Sequence, residues 1–301
     1  RQIEIVGMPE NGNLFAYDDT GGLYRNRFIG TRMTYPAIGD INGDGKPEIV
    51  FGRNFQVYAV DGDSFFNLPN FPITVSDAVI AAPLLFDMNG DGRDEIFVGG
   101  RDRRVYGLDG AGMNLPNFPI YLNTEIFSTP CVFDPARRRI GVLGSDGRFW
   151  LIDAGGVIKE FTNSLHNMVT YASPVVGDMD RDGEPEAVTI NGYGTIYIYG
   201  ADTLEQKFDI LIDTTFYFTP ALADLDRDGY LEIIMPNSSK SIYVTNRNGT
   251  SENNFPLHAK ETVLNPLLVA DFDDDGRPDI VYGLGPEDSL SSGRLKIIND
   301  I

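Results

Sequence analysis

The chain has 301 residues and carries 44 acidic against 24 basic side chains, a formal charge of −20. With 42 % hydrophobic and 11 % aromatic residues it can bury a full core, which excludes a disordered chain, and the acidic balance argues against nucleic acid or an anionic membrane surface as the main partner. No run approaches the ~18 apolar residues of a membrane span, and a single cysteine, Cys131, forbids an intrachain disulfide.

Thirty-three glycines and eighteen prolines between short β-branched and aromatic runs predict an all-β chain with frequent turns and almost no helix. The first elements are Glu4-Ile5-Val6-Gly7 and Leu14-Phe15-Ala16-Tyr17, which align with Glu186-Ala187-Val188-Thr189 and Ile196-Tyr197-Ile198-Tyr199 further on. Residues 1–30 therefore read as a truncated unit that holds strands two, three and four and lacks strand one. The start at Arg1, without Met or an apolar leader, is what a processed product or an excised piece would show; further domains are expected in the parent protein.

A full unit then repeats. Pro36, Pro83, Pro130, Pro174, Pro220 and Pro266 recur at spacings of 47, 47, 44, 46 and 46. In the first unit Pro36 opens a strand that ends at Asp40, an acidic turn follows, and Ile49-Val50-Phe51-Gly52, Val57-Tyr58-Ala59-Val60 and Phe71-Pro72-Ile73-Thr74-Val75 supply three more strands. Units begin near residues 31, 78, 125, 169, 215 and 261, and the last stops after a third strand, Leu295-Lys296-Ile297-Ile298. Four strands in a period of about 46 residues describe a propeller blade, since a lone four-stranded sheet has two faces that need neighbours. The expectation is one seven-bladed β-propeller domain over residues 1–301, with incomplete first and last blades. Merging the two partial units into one blade is disfavoured, because both contain strands two and three.

Five of the six turns after strand one share a pattern of oxygen-bearing residues at positions 1, 3, 5 and 9, with Gly at position 6. They are Asp40, Asn42, Asp44, Glu48; Asp87, Asn89, Asp91, Glu95; Asp178, Asp180, Asp182, Glu186; Asp224, Asp226, Asp228, Glu232; and Asp271, Asp273, Asp275, Asp279. Such oxygens converge on one point, and the carbonyls of position 7 (Lys46, Arg93, Glu184, Tyr230 and Arg277) offer a further ligand. A hard cation seeking six to eight oxygens fits this set, and the mixed, flexible ligation favours Ca²⁺ over Mg²⁺. An EF-hand would carry its last carboxylate at position 12, where the first loop has Phe51, and would be flanked by helices. Plain Asp-Gly turns would explain one Asp and one Gly, not four oxygen positions in register five times. The loops concentrate eighteen carboxylates, and five Ca²⁺ would bring the formal charge from −20 to −10. After Asp134 the chain reads Pro135-Ala136-Arg137-Arg138-Arg139, two residues shorter, so no calcium is expected there and a guanidinium is a candidate substitute.

These loops resemble the FG-GAP/VCBS repeats of integrin α-subunit propellers and of many bacterial surface and secreted proteins. The resemblance extends to the pairs Phe51-Gly52, Val98-Gly99, Leu143-Gly144 and Tyr282-Gly283, and to Asn-Leu-Pro-Asn-Phe-Pro at 67–72 and 114–119, which is similar to a Leu-Pro-Gly-Phe-Pro segment of bacterial members. It implies a calcium-binding propeller. It does not assign an activity, because the family spans adhesion, carbohydrate binding and parts of polysaccharide lyases.

No catalytic constellation emerges. His166 and His258 have no metal-ligand spacing, Cys131 falls on an inner strand, and no nucleophile elbow, P-loop or zinc pattern is present. Binding is better supported. On the face opposite the acidic loops, the turns between strands two and three bring Arg53, Arg101, Arg103, Arg104, Arg148 and Lys240, and the connections into strand one bring Phe127, His166, Tyr171, Phe216 and Tyr217. Arginines beside aromatics suit a protein or an acidic glycan. The reading is a non-catalytic, extracellular or cell-surface adhesion or ligand-binding module; the alternative is a lectin or the propeller of a polysaccharide-degrading enzyme.

Overall fold

The computed structural model describes residues 3–8, 11–18, 20–161, 171–201, 204–209, 218–237, 240–252, 254–259, 263, 267–284 and 294–298. They form an all-β, seven-bladed propeller without helix among the described residues. Blade 1 is a three-stranded sheet of β1 (Ile3–Gly7), β2 (Asn13–Asp18) and β3 (Leu23–Phe28). Blade 2 comprises β4 (Ala37–Gly39), β5 (Glu48–Arg53), β6 (Gln56–Asp61) and β7 (Ile73–Thr74); blade 3 comprises β8 (Leu84–Phe86), β9 (Glu95–Gly99), β10 (Arg104–Leu108) and β11 (Ile120–Tyr121). Blade 4 contains β12 (Cys131–Asp134), β13 (Arg139–Leu143), β14 (Phe149–Asp153) and β15 (Gly156–Phe161). Blade 5 contains β16 (Val175–Gly177), β17 (Glu186–Ile190), β18 (Thr195–Tyr199) and β19 (Leu204–Asp209). Blade 6 is built from β20 (Ala221–Ala223), β21 (Glu232–Pro236), β22 (Ser241–Thr245) and β23 (Leu257–His258). Blade 7 is three-stranded, with β24 (Leu268–Ala270), β25 (Asp279–Leu284) and β26 (Arg294–Ile298). Every sheet runs in chain order, and among the described residues the first and last blades each have three strands, as the repeat arithmetic expects. The chain divides into two compact units, residues 1–145 with 150–160 and residues 146–149 with 161–301.

The second strand of each blade explains why apolar residues run continuously there instead of alternating. Along β9, Ile96 and Val98 join a core shared with blade 2, while Phe97 joins one shared with blade 4. Along β5, Ile49 and Phe51 face blade 1 while Val50 faces blade 3. In the second unit, Ile233 and Met235 of β21 pack with blade 5, and Ile234 packs with blade 7. A strand buried on both faces needs no polar side. Within each unit, neighbouring blades therefore complete their cores together.

The fourth strands of blades 2, 3 and 6 span only two residues each, whereas those of blades 4 and 5 span six. Phe71–Val75 was expected as a strand, but β7 spans Ile73–Thr74, and β11 and β23 are equally short. Proline has no N–H to give to a ladder, and Asn70, Asn117 and Asn254, just before each Phe-Pro, adopt left-handed φ values of 67°, 65° and 68°. The turned-out amides have a use: Asn70 Nδ2 donates to Ala111 O of the next blade at 3.0 Å, and Asn117 Nδ2 to Ala154 O at 3.0 Å.

The glycine that ends the second strand is fixed by close approach. A Cβ on Gly52 would lie 2.4 Å from Val79 Cγ1, and one on Gly99 would lie 2.3 Å from Ile126 Cγ2, because the incoming connection crosses there. Gly99→Ala is expected to destabilise the protein by about 1–3 kcal/mol through overpacking, and Ile126→Val in the same chain should recover part of the loss. Gly7→Ala, with nothing within 4 Å of the added carbon, should stay near wild type. Thermal melting of the three variants checks this; equal losses at Gly99 and Gly7 would contradict it.

Candidate functional site

The acidic loops connect the first and second strands of their blades, and the residue before position 1 pairs directly with position 9. The pairs are Gly39 with Glu48, Phe86 with Glu95, Gly177 with Glu186, Ala223 with Glu232, and Ala270 with Asp279. Eight residues must therefore turn back within the width of one hairpin. They do so through left-handed residues at position 4 (Gly43, Gly90, Arg181, Arg227, Asp274) and at position 6, where Gly45, Gly92, Gly183, Gly229 and Gly276 have φ between 81° and 90°.

The same hydrogen bonds recur. The N–H of position 6 donates to the position 1 carboxylate (Gly45 to Asp40, 2.9 Å; Gly276 to Asp271, 2.8 Å), that of position 5 to the position 3 side chain (Asp44 to Asn42, 2.8 Å), and that of position 7 to position 5 (Arg277 to Asp275, 2.7 Å). The position 9 carboxylate accepts the N–H of position 2: Ile41 to Glu48 at 3.1 Å, Met88 to Glu95 at 2.8 Å, Met179 to Glu186 and Leu225 to Glu232 at 2.7 Å, and Phe272 to Asp279 at 2.8 Å. All five position 9 residues are buried, with exposures from 0 to 2 %.

This arrangement leaves negative charge without enough partners. Carboxylate oxygens lie within 4.8 Å of one another in four loops: Asp87, Asp91 and Glu95; Asp178, Asp180 and Glu186; Asp224, Asp226 and Glu232; and Asp271, Asp273 and Asp279. Asp224 Oδ1 is buried and without a hydrogen-bond partner. In blade 2 the three carboxylates are less closely drawn together, and Asn42 Nδ2 donates to Glu48 Oε1 at 2.9 Å. The donors are hard oxygens, several buried, and they fit a divalent cation. At Asp134 the ladder reads directly across to Arg139, and Arg137 meets Asp134 Oδ2 at 2.7 Å, so a guanidinium does face that carboxylate.

The opposite face is held by backbone bonds between the strand-two turn and the incoming connection, such as Thr34 N to Gly52 O at 2.9 Å and Val79 N to Asn54 O at 2.8 Å. Several arginines of this face have internal partners. Arg53 Nε donates to Thr31 O at 3.2 Å, Arg101 pairs with Glu125 at 3.5 Å, Arg104 with Asp102 at 3.1 Å, and Arg148 with Asp146 at 2.7 Å. Arg103 and Lys240 occupy left-handed turn positions, and Tyr171 is exposed. His166, Phe216 and Tyr217 lie outside the described residues. His258 Nδ1 is 2.9 Å from Ser241 Oγ, and burial pushes the Cys131 thiol up to about 12, far from a nucleophilic thiolate.

One feature escaped the sequence reading. A cavity of about 580 Å³ opens on this face in the first unit, lined by Met8, Arg32, Met33, Tyr35 and Ile80 with Thr31 and Thr34. Tyr35 is 70 % exposed. The signal was available: the residue before the repeat proline is Ala82, Thr129, Ser173, Thr219 or Asn265 in the other units, and an aromatic only here.

Burial raises Glu48 and Glu232 from an ordinary 4.5 to about 7, and raises Glu95 in the same direction. A carboxyl whose native pKa exceeds its unfolded value takes up a proton on folding. That contribution is complete below about pH 4.5 and is lost as the pH rises through about 7. In a chelating buffer the melting temperature should therefore fall between about pH 5 and 7.5, and Glu232→Gln should flatten the fall. A melting temperature that rises across this interval would refute the assignment.

A family model described as an FG-GAP-like repeat matches residues 40–98, 178–235 and 224–282, together more than half of the chain. No curated protein matches by sequence. Among solved structures, BamB from Moraxella catarrhalis is 12 % identical with a TM-score of 0.57, covering 92 % of this chain and 89 % of its own. BBS1N in complex with ARL6DN is 10 % identical with a TM-score of 0.62, covering 93 % and 83 %. The WD40 β-propeller domain of Doa1 is 14 % identical with a TM-score of 0.60, covering 99 % and 90 %. At these identities the likeness concerns the fold alone. The repeated acidic hairpins and the family match lead to one conclusion: the chain belongs to the FG-GAP-like repeat family.

Proposed function

We propose that this propeller is a non-catalytic, calcium-stabilised protein-binding module of a secreted or cell-surface protein. The observation that carries the reading is the fivefold recurrence of one turn geometry around a buried carboxylate. Side-chain oxygens of positions 1, 3, 5 and 9 and the carbonyls of Lys46, Arg93, Glu184, Tyr230 and Arg277 would hold the ion. Bound calcium would supply the positive charge that the clustered carboxylates lack, and so hold the hairpin mouths closed. Loops of extracellular modules bind with dissociation constants of about 10⁻⁴–10⁻³ M, which suits extracellular fluid. Millimolar calcium should raise the melting temperature well above its value in EDTA by mass action, and Asp226→Ala with Asp228→Ala should remove one ion from the stoichiometry. Identical melting curves in both buffers would sink the calcium reading.

The binding surface in this reading is the face opposite the acidic loops. Support comes from the exposed Tyr35 and Ile80 beside two adaptable methionines, a composition suited to protein contacts, and from the solved propeller in complex with another protein. Peptides selected by phage display on the calcium-loaded chain should lose binding to Tyr35→Ala, and to a triple Ala variant of Arg101, Arg103 and Arg104, without a change in melting temperature beyond that of ordinary surface substitutions. Binding confined to a glycan array would favour the carbohydrate alternative.

A further inference from the structure

Resting on the calcium reading of the loops, we infer that Arg138 is a tethered counter-ion of the neighbouring blade-3 loop, which makes that loop the weaker calcium site of a matched pair. Blade 4 lost its own ligand set and carries Pro135-Ala136-Arg137-Arg138-Arg139 in its place. Arg137 serves the local carboxylate: its N–H and Nη1 reach Asp134 Oδ1 and Oδ2 at 2.9 and 2.7 Å. Arg138 points elsewhere. From a left-handed backbone (φ 54°), its Nη1 donates to Asp87 O at 2.8 Å and stands 3.2 Å from Asp87 Oδ1.

Asp87 is position 1 of the blade-3 loop, so the guanidinium is held on a ligand carboxylate of a different blade. The seat is shaped for it. A Cβ on Gly90, at position 4 of that loop, would come 2.7 Å from Arg138 Cζ, whereas blades 5 to 7 have Arg181, Arg227 and Asp274 at this position.

The blade-2 loop is an internal control. It has the same ligand types at positions 1, 3, 5 and 9, Asp40, Asn42, Asp44 and Glu48 against Asp87, Asn89, Asp91 and Glu95. Arg93 also packs on its position 4 glycine, Gly43, yet among the described residues Asp40 has no ion-pair partner. With ligand types matched at positions 1, 3, 5 and 9, the guanidinium on Asp87 is what separates the two loops in ion pairing. A dication entering the blade-3 loop must share or displace it, so this loop fills after the blade-2 loop and gains less affinity than that loop does as ionic strength falls, because the competing pair strengthens as well. In calcium-poor medium Arg138 holds the loop in its place. A second pair in the other unit, Arg247 to Asp180 at 2.8 Å, has the same form.

Calcium titration by calorimetry on the whole chain tests this with R138A, R138A/D91A and R138K, beside melting curves in EDTA and in saturating calcium. R138A should tighten one site about two- to fivefold, the affinity equivalent of a partly exposed ion pair. The gain should be absent from R138A/D91A, in which the blade-3 site is crippled, and small in R138K, which keeps the charge. R138A should also melt below wild type in EDTA, with the deficit closing in calcium. If wild type binds calcium but R138A leaves its isotherm unchanged or weakens it, the inference fails while the loop reading stands. An equal melting deficit in both buffers would assign Arg138 a purely structural role and overturn the inference as well. Absence of calcium binding in every variant would defeat the loop reading itself, and this inference with it.

Discussion

A carboxylate buried at the mouth of a β-hairpin is the constraint on which the rest of this structure depends. Glu48, Glu95, Glu186, Glu232 and Asp279 begin their strands paired across the ladder, and each is shielded from water while bonded to an N–H of the loop in front of it. An ionised carboxylate in that position is costly unless positive charge or further donors meet it. The loop turns the N–H groups of positions 2, 5, 6 and 7 inward, and its remaining acidic side chains add charge to the same small volume. The hairpin geometry, the left-handed residues and the raised Glu pKa values are thus consequences of one buried charge and not separate features.

Much of this was legible in the sequence because the relevant interactions are local and repeated. The loop ligands span nine residues, the strand lengths follow from apolar runs, and the blade count follows from the period. The fourth strand of blade 2 was misjudged because apolar content around Phe71 outweighed the missing N–H of Pro72. Interactions between blades were beyond reach. Nothing in Pro135–Arg139 says that Arg137 turns to Asp134 while Arg138 crosses to Asp87, a residue 51 positions earlier. The cavity beside Tyr35 was hidden for a different reason: a single position out of step with its repeat is visible only when the repeats are compared for their differences.

The two faces also manage charge by different means. On the acidic side like charges are massed, and two of those carboxylates recruit arginines from neighbouring blades. On the other side opposite charges are matched at short range, Arg104 with Asp102 and Arg148 with Asp146 within two residues of each other. A roll of arginines therefore overstates how cationic that surface is, and exposed Tyr35 and Ile80 distinguish it more sharply than its formal charge does.

Because each loop gathers its carboxylates from one contiguous stretch, while the cores are shared between neighbouring blades, the acidic cluster and the packing can vary separately. Blade 4 records the result: its acidic motif has gone, yet Ile140, Val142, Trp150 and Ile152 still pack against blade 3. A handful of codon changes in one hairpin can therefore remove or restore such an acidic cluster while the architecture around it is left untouched.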